Sequence, residues 1–195
     1  MNPGLLIVVS GPAGVGKGTV VSLVRERDKD VIFSVSATSR SPRPGEIDGR
    51  NYFFVTRERF EDMIQKNELL EWVDYCGNYY GTPKAYVESE LEKGRIVLLE
   101  IDVEGANNIK KKYPQCILVF IMPPSLEELR SRITKRGTET PEVIENRLKR
   151  AENEMQYSES YDHIIVNDTV EKAADRFLRI IRKERRKSAK QSKKQ

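Results

Sequence analysis

The stretch Gly11-Pro12-Ala13-Gly14-Val15-Gly16-Lys17 constrains this 195-residue chain more than any other. It follows the apolar run Leu5 to Val9 directly and leads into a helix-period segment carrying Val20, Leu23 and Val24. Glycines let the backbone wrap closely, so that successive amide N–H groups point at one anion. A helix starting there adds its positive dipole end, and Lys17 supplies a full charge to the outer phosphates of a nucleoside triphosphate. The complete spacing, in a strand–loop–helix setting, is a strong signal for triphosphate binding by Gly11 to Lys17 and the following Gly18 and Thr19. The position after the lysine normally holds a hydroxyl that ligates Mg²⁺; here it is Gly18. That points to Mg²⁺ held largely through water, with Thr19 as a candidate ligand. Such a loop leaves the acceptor open, because GTPases, ATPases, motors and kinases all use it.

Leu5 to Val9, Ile96 to Leu99, Ile117 to Met122 and Ile164 to Val166 read as strands buried on both faces. Amphipathic segments alternate with them. Ser125-Leu126-Glu127-Glu128 is a capping box, Thr140-Pro141 opens a helix bearing Ile144, Leu148, Ala151 and Met155, and Thr169 precedes Val170, Ala173, Phe177 and Ile180. The expected fold class is α/β, a P-loop core whose parallel sheet is flanked by helices. Residues 37 to 91 break the rhythm. The turn-rich Ser41-Pro42-Arg43-Pro44-Gly45, then Tyr52 to Val55, a short helix around Phe60 to Ile64, and Leu69 to Val73 read as a small α+β insert with antiparallel character.

Hydrophobic residues make up 38% and charged residues 33% of the chain, which suits a soluble protein with a charged surface. No apolar run is long enough to cross a bilayer, and the start lacks the basic region of a signal peptide. A cytoplasmic protein without membrane contact is expected. Cys76 and Cys116 read as reduced, partly buried thiols, and the lone His163 as a structural residue at a strand start. The net charge of +4 belongs to the C-terminus. Eight Lys or Arg against Glu184 give Arg182 to Gln195 a charge of +7, leaving −3 for the rest. Residues 185–195 read as a disordered basic tail, the one place where nucleic-acid contact is expected.

The insert and the later motifs carry a resemblance. Ser36-Ala37-Thr38-Ser39-Arg40-Ser41-Pro42-Arg43-Pro44-Gly45-Glu46, Tyr52, Glu71-Trp72, Gly77-Asn78-Tyr79-Tyr80-Gly81-Thr82, Leu99-Glu100-Ile101-Asp102-Val103-Glu104-Gly105, Arg136-Gly137-Thr138-Glu139-Thr140 and Val166-Asn167-Asp168 closely resemble the guanylate kinase family. The likeness spans essentially residues 4 to 181. It implies transfer of a phosphoryl group from ATP to GMP, and to dGMP, with Mg²⁺. It divides the chain into a P-loop core (1–36, 92–124 and 158–184), a GMP-binding subdomain (37–91) and a helical lid (125–157). It assigns Arg40, Arg43, Tyr52 and Tyr80 to the GMP phosphate and Glu71, aided by Ser36 and Thr82, to the guanine edge. Glu100 and Asp102 are assigned to the guanine side or to Mg²⁺-bound water, and Asn167 to the ATP base. Lys17, Arg132, Arg136 and Arg147 are placed around the transferring phosphoryl group.

The residues agree with that chemistry. Arg40 and Arg43 stand three apart in a Pro-braced loop, suited to forking onto a dianionic phosphate. Guanine presents N–H donors, and Glu71 among Leu69, Leu70 and Val73 is an acceptor that is costly to leave without them. Phosphoryl transfer needs positioning and charge cancellation, so the absence of a catalytic His is no obstacle. Other readings stay open at this stage. Asp102 also reads as a helix cap, and Thr82-Pro83 as a cap with an N1 proline. A kinase of another phosphorylated acceptor such as a ribose phosphate, a catalytically inactive binding module, and an NTPase that binds nucleic acid through the tail are the competing functions.

Overall fold

The computed structural model describes residues 4–135 and 141–191. Along the chain run β1 (Leu5–Ser10), α1 (Lys17–Arg27), β2 (Val31–Phe33), β3 (Ala37–Thr38), β4 (Phe53–Phe54), α2 (Arg57–Gln65), β5 (Leu69–Tyr75) and β6 (Asn78–Pro83). Then follow α3 (Lys84–Glu92), β7 (Ile96–Glu100), α4 (Val103–Lys112), β8 (Ile117–Met122), α5 (Leu126–Thr134), α6 (Pro141–Gln156), β9 (His163–Val166) and α7 (Val170–Gln191). A 3₁₀ turn over Tyr157–Ser160 links α6 to β9.

The main sheet is parallel, in the order β2-β7-β1-β8-β9. Every residue of β1 is buried because both faces are covered. Its alternate side chains feed two separate cores. Leu5, Ile7 and Val9 pack with Val20 and Val24 of α1 and Phe177 and Ile181 of α7. Leu6 and Val8 pack on the other side with Val87 of α3 and Ala106 and Ile109 of α4. Leu129 of α5 and Ile144, Leu148 and Ala151 of α6 join the first of these clusters.

The smaller sheet runs β4-β3-β6-β5. Its β3–β6 and β5–β6 pairs are antiparallel, but β3 and β4 pair in parallel, so the insert is mixed. Phe60, Met63 and Leu69 form its own core with Ala37. The expected range 37–91 takes in α3, yet α3 packs on the main sheet through Val87, and the small sheet ends at Pro83.

Several other expectations are corrected by packing. β9 is an edge strand, and Ile164 on its open face is 50% exposed. β2 is an additional core strand, too short at three residues to show a period in the sequence. Residues 185–191 are helical rather than disordered: α7 continues to Gln191 because Glu184 is buried against His163, at 3.2 Å, and Arg185 reaches Asp30 at 2.8 Å. The capping box is half formed: Ser125 accepts the Glu128 N–H, whereas the Glu128 carboxylate takes Arg132. Thr140 lies outside the described residues. Cys116 is buried, but Cys76 is exposed at the tip of the β5–β6 hairpin.

That hairpin holds a local cost. Tyr75 pairs with Asn78, so Cys76 and Gly77 form a two-residue turn with φ of 52° and 76°. Turns with both central residues left-handed favour Asn-Gly, and a Cys there is strained. Cys76→Asn is expected to raise the unfolding free energy by about 0.5–1 kcal/mol in urea titration; an unchanged or lower midpoint would contradict the turn assignment.

Candidate active site

The ends of β1 and β7 and the mouth of the small sheet surround one cleft of about 360 Å³. On its core side stand Gly11, Ala13, Lys17, Glu100 and Asp102; on the insert side stand Ser36, Arg43, Tyr52, Glu71 and Tyr80. Arg147 of α6 closes it from a third direction. The structure therefore brings most of the expected site residues together across separations of up to 136 positions.

The glycine loop is shaped by contacts that a side chain would prevent. A Cβ on Gly11 would lie 2.3 Å from the Ile121 carbonyl oxygen, so only glycine lets the chain leave β1 against β8. Gly16 sits at the N-cap of α1 in the left-handed region, φ 92°, and no side chain caps that terminus. The first N–H groups of α1 thus remain available to an anion. Val15 is buried and its carbonyl accepts the Asn167 amide at 2.7 Å and the Arg132 guanidinium at 3.3 Å. Arg132 also reaches the Asn167 carbonyl at 3.0 Å, and so grips the phosphate loop from outside the cleft. Pro12 is buried, Gly14 abuts Ile133, and Thr19 is exposed on the first turn of α1.

Lys17 folds its ammonium back onto the Gly11 and Pro12 carbonyls at 2.5 and 3.2 Å. Burial pushes its pKa down, opposed by the nearby carboxylates of Glu100, Glu154 and Asp102. Glu100 is the mirror case: burial raises its pKa, and Lys17 opposes the rise. Its Oε2 lies 3.6 Å from where a Cβ on Gly18 would stand. A carboxylate therefore borders the position from which a loop hydroxyl usually projects. Asp102 caps α4, accepting the Gly105 N–H at 2.8 Å, so the cap reading holds alongside its place in the cleft.

In the insert, Glu71 is 3% exposed, which excludes the wet face of an edge strand. Thr82 donates its hydroxyl to Glu71 Oε1 at 2.7 Å. The helix-cap reading of Thr82 fails for that reason: Pro83 is the N-cap residue, α3 starts at Lys84, and no side chain caps it. Burial pushes the Glu71 pKa up to about 7, with Thr82 opposing and Asp102 reinforcing the rise. Arg40 does not stand free beside Arg43. Glu46 takes its Nη2 through both carboxylate oxygens at 2.9 Å, and its guanidinium lies 5.6 Å from the Tyr52 ring centre. Burial and the neighbouring Tyr80 raise the pKa of Tyr52, keeping its hydroxyl a donor.

Arg136 lies outside the described residues, and α5 ends before it at Thr134. Asn167 is 2% exposed; its Oδ1 has no hydrogen-bond partner among the described residues. Three residues of the cleft wall carry no motif in the sequence. Arg150 of α6 donates to the Tyr75 hydroxyl, lies 4.1 Å over the Tyr75 ring, and pairs with Glu154 at 2.8 Å. These contacts tie α6 to the end of β5 across 75 residues, a separation no local pattern reveals.

Among the described residues no group of three or more His, Cys, Asp or Glu could cage a metal. The acidic oxygens at the loop, Glu100 and Asp102, instead fit a hydrated Mg²⁺ that arrives on a triphosphate.

A parallel sheet with a glycine loop leaving β1, a second sheet across the cleft and α6 carrying Arg147 and Arg150 toward it define a P-loop nucleotide kinase. The guanylate kinase family model matches residues 4–184. A guanylate kinase of Halalkalibacterium halodurans is 55% identical over 91% of this chain and 87% of its own. One from Bacillus subtilis is 51% identical over 91% and 88%. The crystal structure of guanylate kinase from Anaplasma phagocytophilum superposes with a TM-score of 0.79 at 36% identity, covering 94% of this chain and 87% of that one. The chain belongs to the guanylate kinase family and is a phosphotransferase of that class.

Two outcomes follow from this geometry. The folded protein holds a proton on Glu71 at pH values where the unfolded chain has released it. Stability from this group is therefore full below about pH 4.5 and is lost as pH rises toward and through about 7. Glu71→Gln is expected to remove that loss, narrowing the pH 5 to pH 8 stability difference by up to about 3 kcal/mol in denaturant titrations without nucleotide; equal slopes in both proteins would refute it. Arg150→Ala is expected to raise the acceptor KM about three- to tenfold with kcat changed less, as fits about 1 kcal/mol from a half-exposed cation–aromatic contact. Steady-state kinetics decide this, and a loss confined to kcat would refute it.

Proposed function

We propose that the chain catalyses ATP + GMP to ADP + GDP, with dGMP as an alternative acceptor, by direct in-line transfer. The observation that carries the acceptor is buried Glu71, held by Thr82 in the same cleft as Lys17. Guanine N1–H and N2–H are donors matched to a carboxylate, whereas adenine offers an acceptor at N1. Ionised Glu71 takes those N–H groups, with Ser36 and Thr82 completing the base edge and Asp102 beside it. Arg43, Tyr52 and Tyr80 hold the acceptor phosphate, and Arg40 joins them once its pairing with Glu46 positions it. A ribose phosphate would leave Glu71 without donors, which disfavours that acceptor.

In the reaction an oxygen of the GMP phosphate, already ionised, attacks the γ-phosphorus of ATP. The bond from that phosphorus to the β,γ-bridging oxygen breaks, and ADP leaves. No general base is needed. The loop N–H groups and Lys17 hold the β- and γ-phosphates, and Asn167 lies toward the ATP base. Arg147 and Arg136 stabilise charge on the transferring group, and Arg132 joins them by leaving the Val15 and Asn167 carbonyls as the 125–157 segment closes. Glu100, Asp102 and Thr19 are the residues that would hold the waters of a Mg²⁺ ion, which when bound would supply further neutralisation of the phosphate oxygens. Closure of the small-sheet subdomain, residues 37–83, and of the 125–157 segment over both substrates excludes water. A cytoplasmic site of action belongs to the same proposal; no described helix is long and apolar enough to cross a membrane.

The test is Mg²⁺-dependent ADP release with GMP, dGMP, AMP, CMP, UMP and ribose 5-phosphate, for wild type and Glu71→Gln. Turnover is expected with the guanine acceptors, and the variant should lose about a hundredfold or more in kcat/KM for GMP, the scale seen when a built polar reader is mismatched. Preferred turnover of another acceptor would sink the guanine assignment. Silence on all of them, with ATP still bound, would favour a binding module.

A further inference from the structure

The exposed side of α7 carries charge that the kinase reaction does not use. Arg179, Arg182, Lys183, Arg186, Lys187 and Lys190 are all exposed and line one shallow depression of about 380 Å³. Their spacing of three and four repeats down one face of the helix. At 1.5 Å per residue the stripe is about 16 Å long. Elsewhere this chain puts acids at such positions, as in Arg57–Glu61, Arg132–Glu128 and Arg150–Glu154. Here cation follows cation, an arrangement that destabilises an isolated helix. Among the described residues only Lys187 of the six has an ion pair, with Glu184. Basic residues on the adjoining side of the same helix are neutralised, Arg176 by Asp168 and Arg185 by Asp30.

The helix places this stripe away from the cleft. Its first turns lie beside the end of β9, where Arg176 reaches the Val166 carbonyl. Its later turns lie beside Asp30 at the opposite end of the sheet, just before β2 begins. Two more lysines, Lys193 and Lys194, follow in the sequence.

We propose that this face of α7 is a docking surface for the phosphate backbone of a nucleic-acid duplex, bound without reading its bases. A duplex carries one negative charge per about 1.7 Å of axis, dense enough to occupy all six cations along about 16 Å. No aromatic side chain stands in the stripe, so the stacking platform of a single-strand binder is missing from it. A membrane surface fits less well, because the apolar residues of the helix, Ala173, Phe177, Leu178 and Ile181, are buried in the core and unavailable for insertion.

The test uses the full chain and fluorescein-labelled DNA and RNA duplexes of about 20 base pairs, with anisotropy read from about 50 to 200 mM salt. Wild type is expected to bind both, with log K falling linearly in log salt. The quadruple variant Arg179→Gln, Arg182→Gln, Arg186→Gln, Lys190→Gln should weaken binding at least tenfold and lower the salt slope by about 0.9 for each phosphate it no longer neutralises. A charge-keeping variant, Arg179→Lys, Arg182→Lys, Arg186→Lys, should retain binding, and both should keep kinase turnover within about twofold, which also reports that they fold. Wild type that ignores both duplexes at low salt, a quadruple variant that binds like wild type, or capture by vesicles of anionic lipid in preference to either duplex would overturn the proposal.

Discussion

The cleft depends on how closely β1 can leave the sheet. A side chain at Gly11 would collide with the Ile121 carbonyl, so the absence of one lets the chain turn immediately and direct the α1 terminus into the space beyond the strands. The loop so formed is held from behind: Asn167 and Arg132 both bond the Val15 carbonyl, so β9 and α5 fix the loop to the rest of the sheet. Glu100 and Asp102 arrive at the same edge because β7 pairs in parallel beside β1, Val9 opposite Glu100. Parallel register thus converts three apolar runs into one polar rim.

That rim is electrostatically tense without substrate. Lys17, Glu100 and Glu71 are each pushed toward the neutral form by burial. Such groups cost stability in the free protein and gain when a ligand brings the opposite charge or the missing donors. Under the proposed function, a polyphosphate beside Lys17 and guanine N–H groups at Glu71 are the complements that relieve them. In the small-sheet subdomain a carboxylate likewise meets a cation, Glu46 holding the Arg40 guanidinium through both oxygens.

Much of this was legible in the residues. β1, β7 and β8 announce themselves as continuous apolar runs, and the glycine loop by spacing alone. The insert's mixed pairing was not legible, since β3 and β4 are two residues each and their partner choice is made by the small core around Phe60. Composition misled at the C-terminus. A Lys/Ser/Gln-rich segment suggests coil, but the preceding apolar face and buried Glu184 extend the helix as far as Gln191. The Arg150–Tyr75 contact joins α6 to β5 and exists only once those elements pack together, so no window of sequence contains it. The family resemblance supplied residue roles that spacing could not, and Thr82 shows the value of geometry: its hydroxyl faces Glu71 rather than the helix it precedes.

The central claim is that Glu71 meets guanine as a carboxylate although burial favours its proton in the free protein. Isothermal titration of GMP into the protein, in buffers of different ionisation enthalpy, counts the protons released on binding. With a Glu71 pKa of about 7, the account predicts release of about half a proton from this group at pH 7, falling toward zero by about pH 8.5. Release that is absent at pH 7, or the same at both pH values, would contradict it.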